Sequence, residues 1–186
     1  KTRKELGLGD DDFVVLYVGK LIAWKRPQDL IAAAELLAKR NRTKGCVHIL
    51  FAGDGEMRSE LEVRAKQQEL STHFLGFVNM DVLPNIFCAA DALAHPCENE
   101  SFGTMAVEAA IFGLPMIMSD RIGAVGPTSI ARPDHNAIVY KCTDIEALTS
   151  AIERLANEPE TCERMSEASL RFSKDHDGRM SVNITV

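Results

Sequence analysis

The chain has 186 residues, 46% hydrophobic and 26% charged, with a formal net charge of −6. That composition suits one packed domain and excludes a disordered segment. The acidic balance argues against a nucleic-acid partner, and no apolar run approaches the roughly 20 residues of a membrane span. The chain opens on Lys1 rather than Met and carries no secretory signal, which reads as a piece of a longer protein. Its cysteines, Cys46, Cys88, Cys97, Cys142 and Cys162, form no CxxC pair and leave one over. That is the pattern of reduced thiols in a cytoplasmic protein, so no zinc site is expected.

Residues 1–12 read as a short helical turn and a solvated lead-in ending in Asp10, Asp11 and Asp12. Phe13 to Val18 is a continuous apolar run of the kind buried on both faces of a parallel sheet. A loop with Gly19, Lys20 and Lys25 follows, and Pro27 then opens a helix with the stripe Leu30, Ile31, Ala34, Leu37, Ala38. The next unit repeats the arrangement. Cys46 to Ala52 reads as a strand, Gly53 to Gly55 as a turn and Glu56 to Leu70 as a helix. A short strand (73–75), a turn at Gly76 to Val78 and a helix from about Asp81 to Ala89 come next. Asp91 to Ala94 then forms a strand running into the loop marked by His95 and Pro96.

Glu100-Ser-Phe-Gly-Thr-Met-Ala-Val-Glu108 carries two carboxylates across a turn and into an apolar helix. Gly113 and Pro115 close that helix. Strands 115–118 and 137–140 flank a Gly/Pro-rich loop, and helices at about 144–157 and 159–173 complete the domain before a tail, 174–186. Strands alternating with helices at these intervals predict an α/β, Rossmann-like doubly wound parallel sheet with helices on both faces. Such folds bind ligands at the carboxyl edge of the sheet, where every loop with chemical potential falls: 19–26, 53–55, 76–79, 95–104 and 119–126.

Each feature at that edge has a bland alternative. Lys20 and Lys25 suit a diphosphate, or are two solvated lysines. The Ser101 to Thr104 turn offers free amides to an anion, or is a helix cap on Ser101. Glu108, in a helix of small apolar residues, accepts ligand hydroxyls or faces solvent. Gly53-Asp54-Gly55 lacks the spacing of a phosphate fingerprint and reads as a tight turn. His95 reads as packed rather than catalytic.

Taken in order, the motifs resemble a known family. They are Glu5-Leu-Gly-Leu8, Val18-Gly-Lys20-Leu with Lys25, Phe51-Ala-Gly-Asp-Gly55 and Phe74-Leu-Gly-Phe-Val78. Ala90-Asp91, Pro96, Glu100-Ser-Phe-Gly with Glu108-Ala, Gly113-Leu-Pro, Ser119-Asp and Asp144-Ile-Glu-Ala-Leu148 follow. Together they resemble the C-terminal, donor-binding domain of retaining glycosyltransferases of family 4 (group 1), which are two-domain GT-B enzymes.

The resemblance implies a nucleotide-diphospho-sugar donor, retention at the anomeric carbon, and no metal or other cofactor. It implies that residues 13–173 form the donor domain. The acceptor, of a kind the sequence does not specify, would bind mainly to a missing N-terminal domain. Glu100 would contact donor-sugar hydroxyls, and Lys20 and Lys25 would clamp the diphosphate. Glu108 would hold the ribose, and the backbone at Gly19, Phe102, Gly103 and Thr104 would face sugar and phosphate. The backbone near Val78 would meet the base. The isolated fragment would bind nucleotide without turnover, in the cytoplasm, at the membrane face if the missing domain binds there. Cys97, where many members have serine, and the 132–136 loop depart from the family pattern. The rival readings are a silent nucleotide-sugar-binding module and a GT-B-type nucleotide-sugar epimerase. A receiver-type signalling module fits less well, because Asp10 to Asp12 precede the first strand.

Overall fold

The computed structural model describes residues 2–182. Six parallel strands form one sheet in the order β3-β2-β1-β4-β5-β6. They are β1 (Phe13–Val18), β2 (Val47–Ala52), β3 (Thr72–Gly76), β4 (Ala92–His95), β5 (Met116–Ser119) and β6 (Ala137–Tyr140). The order reverses beside β1, and the crevice between the β1 and β4 ends is where a doubly wound sheet takes its ligand.

Both faces of the sheet are covered, which explains the unbroken apolar runs. Val14, Leu16, Leu50, Leu93, Met116 and Met118 point into one core layer. Val15, Tyr17, Ile49, Phe51, Ala92 and Ile117 point into the other. The first layer lies beneath α4 (Leu83–Phe87), α5 (Thr104–Ile111) and α7 (Pro159–Val182). The second lies beneath α2 (Pro27–Arg40), α3 (Arg58–Gln67) and α6 (Ile145–Asn157). Completely burying one such Leu or Ile stabilises the fold by about 1.5–3 kcal/mol.

The helix ends follow local chemistry. Pro27 starts α2, and Asp144 caps α6 by accepting from the Ala147 amide at 2.9 Å. Gly113, at φ 71°, ends α5 in the left-handed conformation, and the Leu114 amide reaches back to Ala109 at 2.8 Å. Along α2 the stripe turns slightly from expectation: Ala33 is buried and Ala38 is exposed. Ser101 does not cap α5; its N-cap is Gly103, at φ 65°, with no side-chain cap. The last helix also outruns expectation, continuing past Ser173 to Val182. The remainder of the expected tail, 183–186, lies outside the described residues.

The lead-in is tied down. The turn α1 (Thr2–Glu5) places Arg3 on Asp91, 3.1 Å away, and on the carbonyls of Ala89, Gly9 and Asp12. Asp91 also accepts from the Val14 amide at 2.7 Å. One carboxylate thereby joins the approach to β1 to the start of β4.

Candidate functional site

The carboxyl edge is assembled by loops lying directly on loops. Past β1 the chain crosses β2: the Gly19 amide donates to Ala52, Leu21 to Asp54, and Met57 back to Leu21, at 2.9–3.1 Å. The approach is so close that a Cβ on Gly53 would fall 1.8 Å from the Gly19 carbonyl, and one on Gly55 2.4 Å from that of Leu21. These glycines therefore serve backbone contact, as the tight-turn reading required, rather than phosphate wrapping.

A pocket of about 560 Å³ opens over this crossing. Gly19, Lys20, Gly53, Asp54, Gly55, Phe77, Val78 and Leu83 line it, with Val18 and Ala52 at its floor. Among these residues Lys20 is the one cation; it is exposed and makes no ion pair among the described residues. Asp54 is committed to Arg58 at 2.9 Å, so its charge does not oppose an anion freely. A cavity of similar size, about 510 Å³, lies at the opposite edge between β4, α5 and α7. Asp91 and Glu163 are the charged residues in its lining, a poor match for a diphosphate.

On the other side of the switch point, the Trp24 carbonyl accepts from the Glu98 amide at 2.9 Å. That bond brings Lys25 against Glu100, and ammonium and carboxylate form a half-buried ion pair. Burial works against ionisation of Glu100. The Lys25 hydrogen bond and charge outweigh it and hold the carboxyl below its ordinary range. Glu100 itself lies ahead of α5, bridged to Ile122, and its carbonyl accepts from the Gly123 amide at 2.7 Å. The two glutamates are thus not on one continuous helix.

His95, which sequence reasoning treated as packing, lies fully buried with Nε2 3.7 Å from Glu100. Its ring stacks on Tyr17 at 6.0 Å, and neither ring nitrogen has a hydrogen-bond partner among the described residues. Burial, aided by Lys25, pushes its pKa down to about 4, so the ring is neutral at physiological pH. His95, Cys97 and Glu100 bring three possible metal-ligating atoms within 4.8 Å of one another. Lys25 holds the carboxylate of that group, and burial raises the Cys97 thiol away from the thiolate form.

Glu108 is separate from this cluster. It borders a small cavity of about 60 Å³ with Met80, Leu83, Pro84, Phe87 and Phe112. Leu83 lines both this cavity and the larger pocket, so Glu108 approaches the pocket from its α4 side. Burial alone raises its pKa, and no side-chain hydrogen bond or ion pair satisfies it among the described residues. Phe102 is 83% exposed, Thr104 is exposed at the first turn of α5, and Gly103 is buried. Gly103 offers that turn no side-chain cap, and its carbonyl accepts from the Ala106 amide at 2.8 Å. The structure therefore brings Gly19, Lys20 and Val78 together in the pocket and Lys25 and Glu100 together beside it. Glu108 stands behind Leu83. The departing 132–136 loop keeps its shape through buried Asn136, which bonds Arg132, Ile130 and Ser169 at 2.8–3.2 Å.

The family model for "Glycosyl transferases group 1" matches residues 1–172. The chain belongs to the group 1 glycosyltransferases. An uncharacterized glycosyltransferase of Methanocaldococcus jannaschii is 30% identical over 158 residues, covering 84% of this chain and 39% of that protein. A D-inositol 3-phosphate glycosyltransferase of Corynebacterium glutamicum is 31% identical over 179 residues, with 94% and 42% covered. This group 1 domain thus spans about two fifths of the length of those relatives. Among solved structures, Anabaena HepE in complex with UDP and glucose superposes with a TM-score of 0.80 at 22% identity. That match covers 94% of this chain and 46% of HepE. The fold is that of a Rossmann-like GT-B glycosyltransferase domain. Among the described residues no helix is long and apolar enough to cross a membrane.

Proposed function

We propose that this chain is the donor half of a retaining, metal-independent glycosyltransferase whose acceptor is held mainly by a further domain. The observation that carries the reading is the pocket over the β1–β2 crossing, with Lys20, unpaired among the described residues, in its wall, together with the Lys25–Glu100 pair on the β4 side of β1. A nucleoside diphosphate fits a site built from backbone, apolar surface and a cation. UDP is the first candidate, since HepE carries it on the same fold.

In this reading the base lies against the Val78 backbone and the ribose hydroxyls donate to Glu108. The diphosphate follows Gly19 and Lys20 toward Lys25 and the first-turn amides of α5. Glu100 accepts from donor-sugar hydroxyls while Lys25 keeps it ionised. As the sugar–phosphate bond breaks, negative charge grows on the diphosphate, and the lysines and helix-end amides stabilise it in place. A lysine supplies a point charge rather than a bidentate fork, so the amides fix the orientation.

The test is thermal unfolding of the chain with UDP, GDP or ADP, for wild type and Glu108→Ala. Ligand at 100 times its dissociation constant stabilises by about 2.7 kcal/mol, which is roughly 5–11 °C for a domain of this size. A rise with one nucleotide, lost in the variant, is expected. A rise unchanged in Glu108→Ala would remove that residue from the site, and no rise with any of the three would overturn the donor reading. Mixed with a UDP-sugar, the isolated chain is expected to give no transfer to acceptor; measurable transfer would refute the need for a further domain.

A further inference from the structure

A second cluster of reactive side chains lies at the opposite, amino-terminal edge of the sheet, where the donor reading assigns nothing. Asp12 immediately precedes β1, Cys46 immediately precedes β2, and His48 is the second residue of β2. The parallel register pairs Phe13 with Val47 and Val14 with His48, and the Phe13 amide donates to the Cys46 carbonyl at 2.9 Å. Because side chains alternate along a strand, this register turns residues 12, 46 and 48 to the same face.

The geometry is that of a ligand set. His48 Nε2 lies 3.2 Å from Asp12 Oδ2, and the Cys46 thiol completes a group whose ligating atoms all lie within 4.8 Å of one another. A tetrahedral ion with bonds of about 2.0–2.3 Å spaces its ligand atoms roughly 3.3–3.8 Å apart. The imidazole–carboxylate edge is already near that length. Cys46 is exposed and ends a loop, so its thiol can close the remainder.

Outer partners are in place as well. His48 Nδ1 is 3.1 Å from His73 Nε2, the Gly9 amide donates to Asp12 Oδ2 at 2.7 Å, and Ser71 Oγ lies 3.0 Å from the Cys46 sulfur. Such bonds fix the tautomer and direction of metal ligands. Arg3 reaches the Asp12 carbonyl but directs its charge to Asp91, so no arginine or lysine neutralises the Asp12 carboxylate among the described residues.

We propose that Asp12, Cys46 and His48 bind one divalent transition ion of the zinc class, with water in the fourth position. Thiolate and imidazole exclude calcium and magnesium, which take oxygen ligands. The ion would clasp the approach to β1 onto the start of β2, so its effect is on stability rather than on the donor pocket. Cysteine spacing hid the site because its ligands come from two segments 34 residues apart in the chain.

The experiment is a cobalt(II) titration of the metal-free chain, followed by zinc. A thiolate-to-cobalt charge-transfer band saturating at one equivalent is expected, and zinc should abolish it. The band should vanish in Cys46→Ser and persist in Cys88→Ser, which removes the other exposed cysteine. His48→Gln should weaken cobalt binding at least tenfold. Zinc should raise the unfolding midpoint of wild type but not of Cys46→Ser, whose metal-free midpoint should match wild type. No band in wild type, or one that survives Cys46→Ser, would overturn the proposal. So would a band lost instead in Cys97→Ser, because the ion would then belong to the donor edge.

Discussion

Glu100 and Glu108 are eight residues apart in sequence and in opposite electrostatic circumstances. Glu100 has its counter-ion built in: Lys25 holds it ionised although both are half-buried. Glu108 has burial without a partner among the described residues, and its pKa moves the other way. A carboxylate already neutralised by the protein can stay charged whether or not donor is bound. One without a partner gains most when ligand hydroxyls arrive. Under the proposed donor reading, the contrast suits Glu100 to a preorganised reaction centre and Glu108 to ligand capture.

Removing Lys25 should break this contrast most severely. Lys25→Met leaves a half-buried carboxylate unpaired and should destabilise the chain by about 2–3 kcal/mol, somewhat under the cost at a fully buried pair. Adding Glu100→Gln to that variant should recover most of the loss in urea unfolding. A loss below 0.5 kcal/mol, on the order of an ordinary surface substitution, would show that Glu100 needs no built-in counter-ion.

The second effect is on pH. His95 has a folded pKa near 4 against about 6.5 unfolded, so the unfolded chain takes up a proton first as pH falls. Its contribution to stability is complete above about pH 6.5 and is lost progressively toward pH 4, amounting to about 2 kcal/mol between pH 7 and 5. Glu100, whose pKa is lowered, loses its contribution only at lower pH, as it protonates below the ordinary carboxylate range. Denaturant midpoints across pH 5–7 should therefore slope upward in wild type and less steeply in His95→Leu, where His73, whose pKa burial also lowers, still contributes. Equal slopes would mean that another group titrates there.

The third effect is on binding. Glu108→Gln should weaken nucleoside diphosphate about tenfold, or roughly 1.4 kcal/mol, while leaving the free chain as stable as wild type or slightly more so. A marked loss of stability without ligand would mean that Glu108 is already satisfied by the protein, and the contrast would fail.

The fold was legible because local signals agreed. Phe13 to Val18 is apolar on both faces, and Pro27 and Gly113 mark helix ends. Much of the edge was legible too, since the turn glycines and Glu100 to Gly103 lie in loops that any doubly wound sheet gathers together, with Glu108 on the helix that follows. What the sequence concealed depends on long-range register. Lys25 meets Glu100 only because the Trp24 loop crosses to Glu98. His95 stacks on Tyr17 only because β4 runs beside β1. The absence of a cap on Ser101 was equally hidden, because Gly103 takes the left-handed turn that starts α5.

The most direct test of the central claim is calorimetric titration of UDP and of uridine into wild type and Lys20→Glu. Lys20 is exposed and makes no ion pair among the described residues, so reversing its charge should leave the fold intact. UDP should bind wild type and weaken at least tenfold in the variant, while uridine, which has no phosphate, binds both alike. Equal UDP affinity in the two proteins, or no UDP binding to wild type, would contradict a diphosphate lying along the loop after β1.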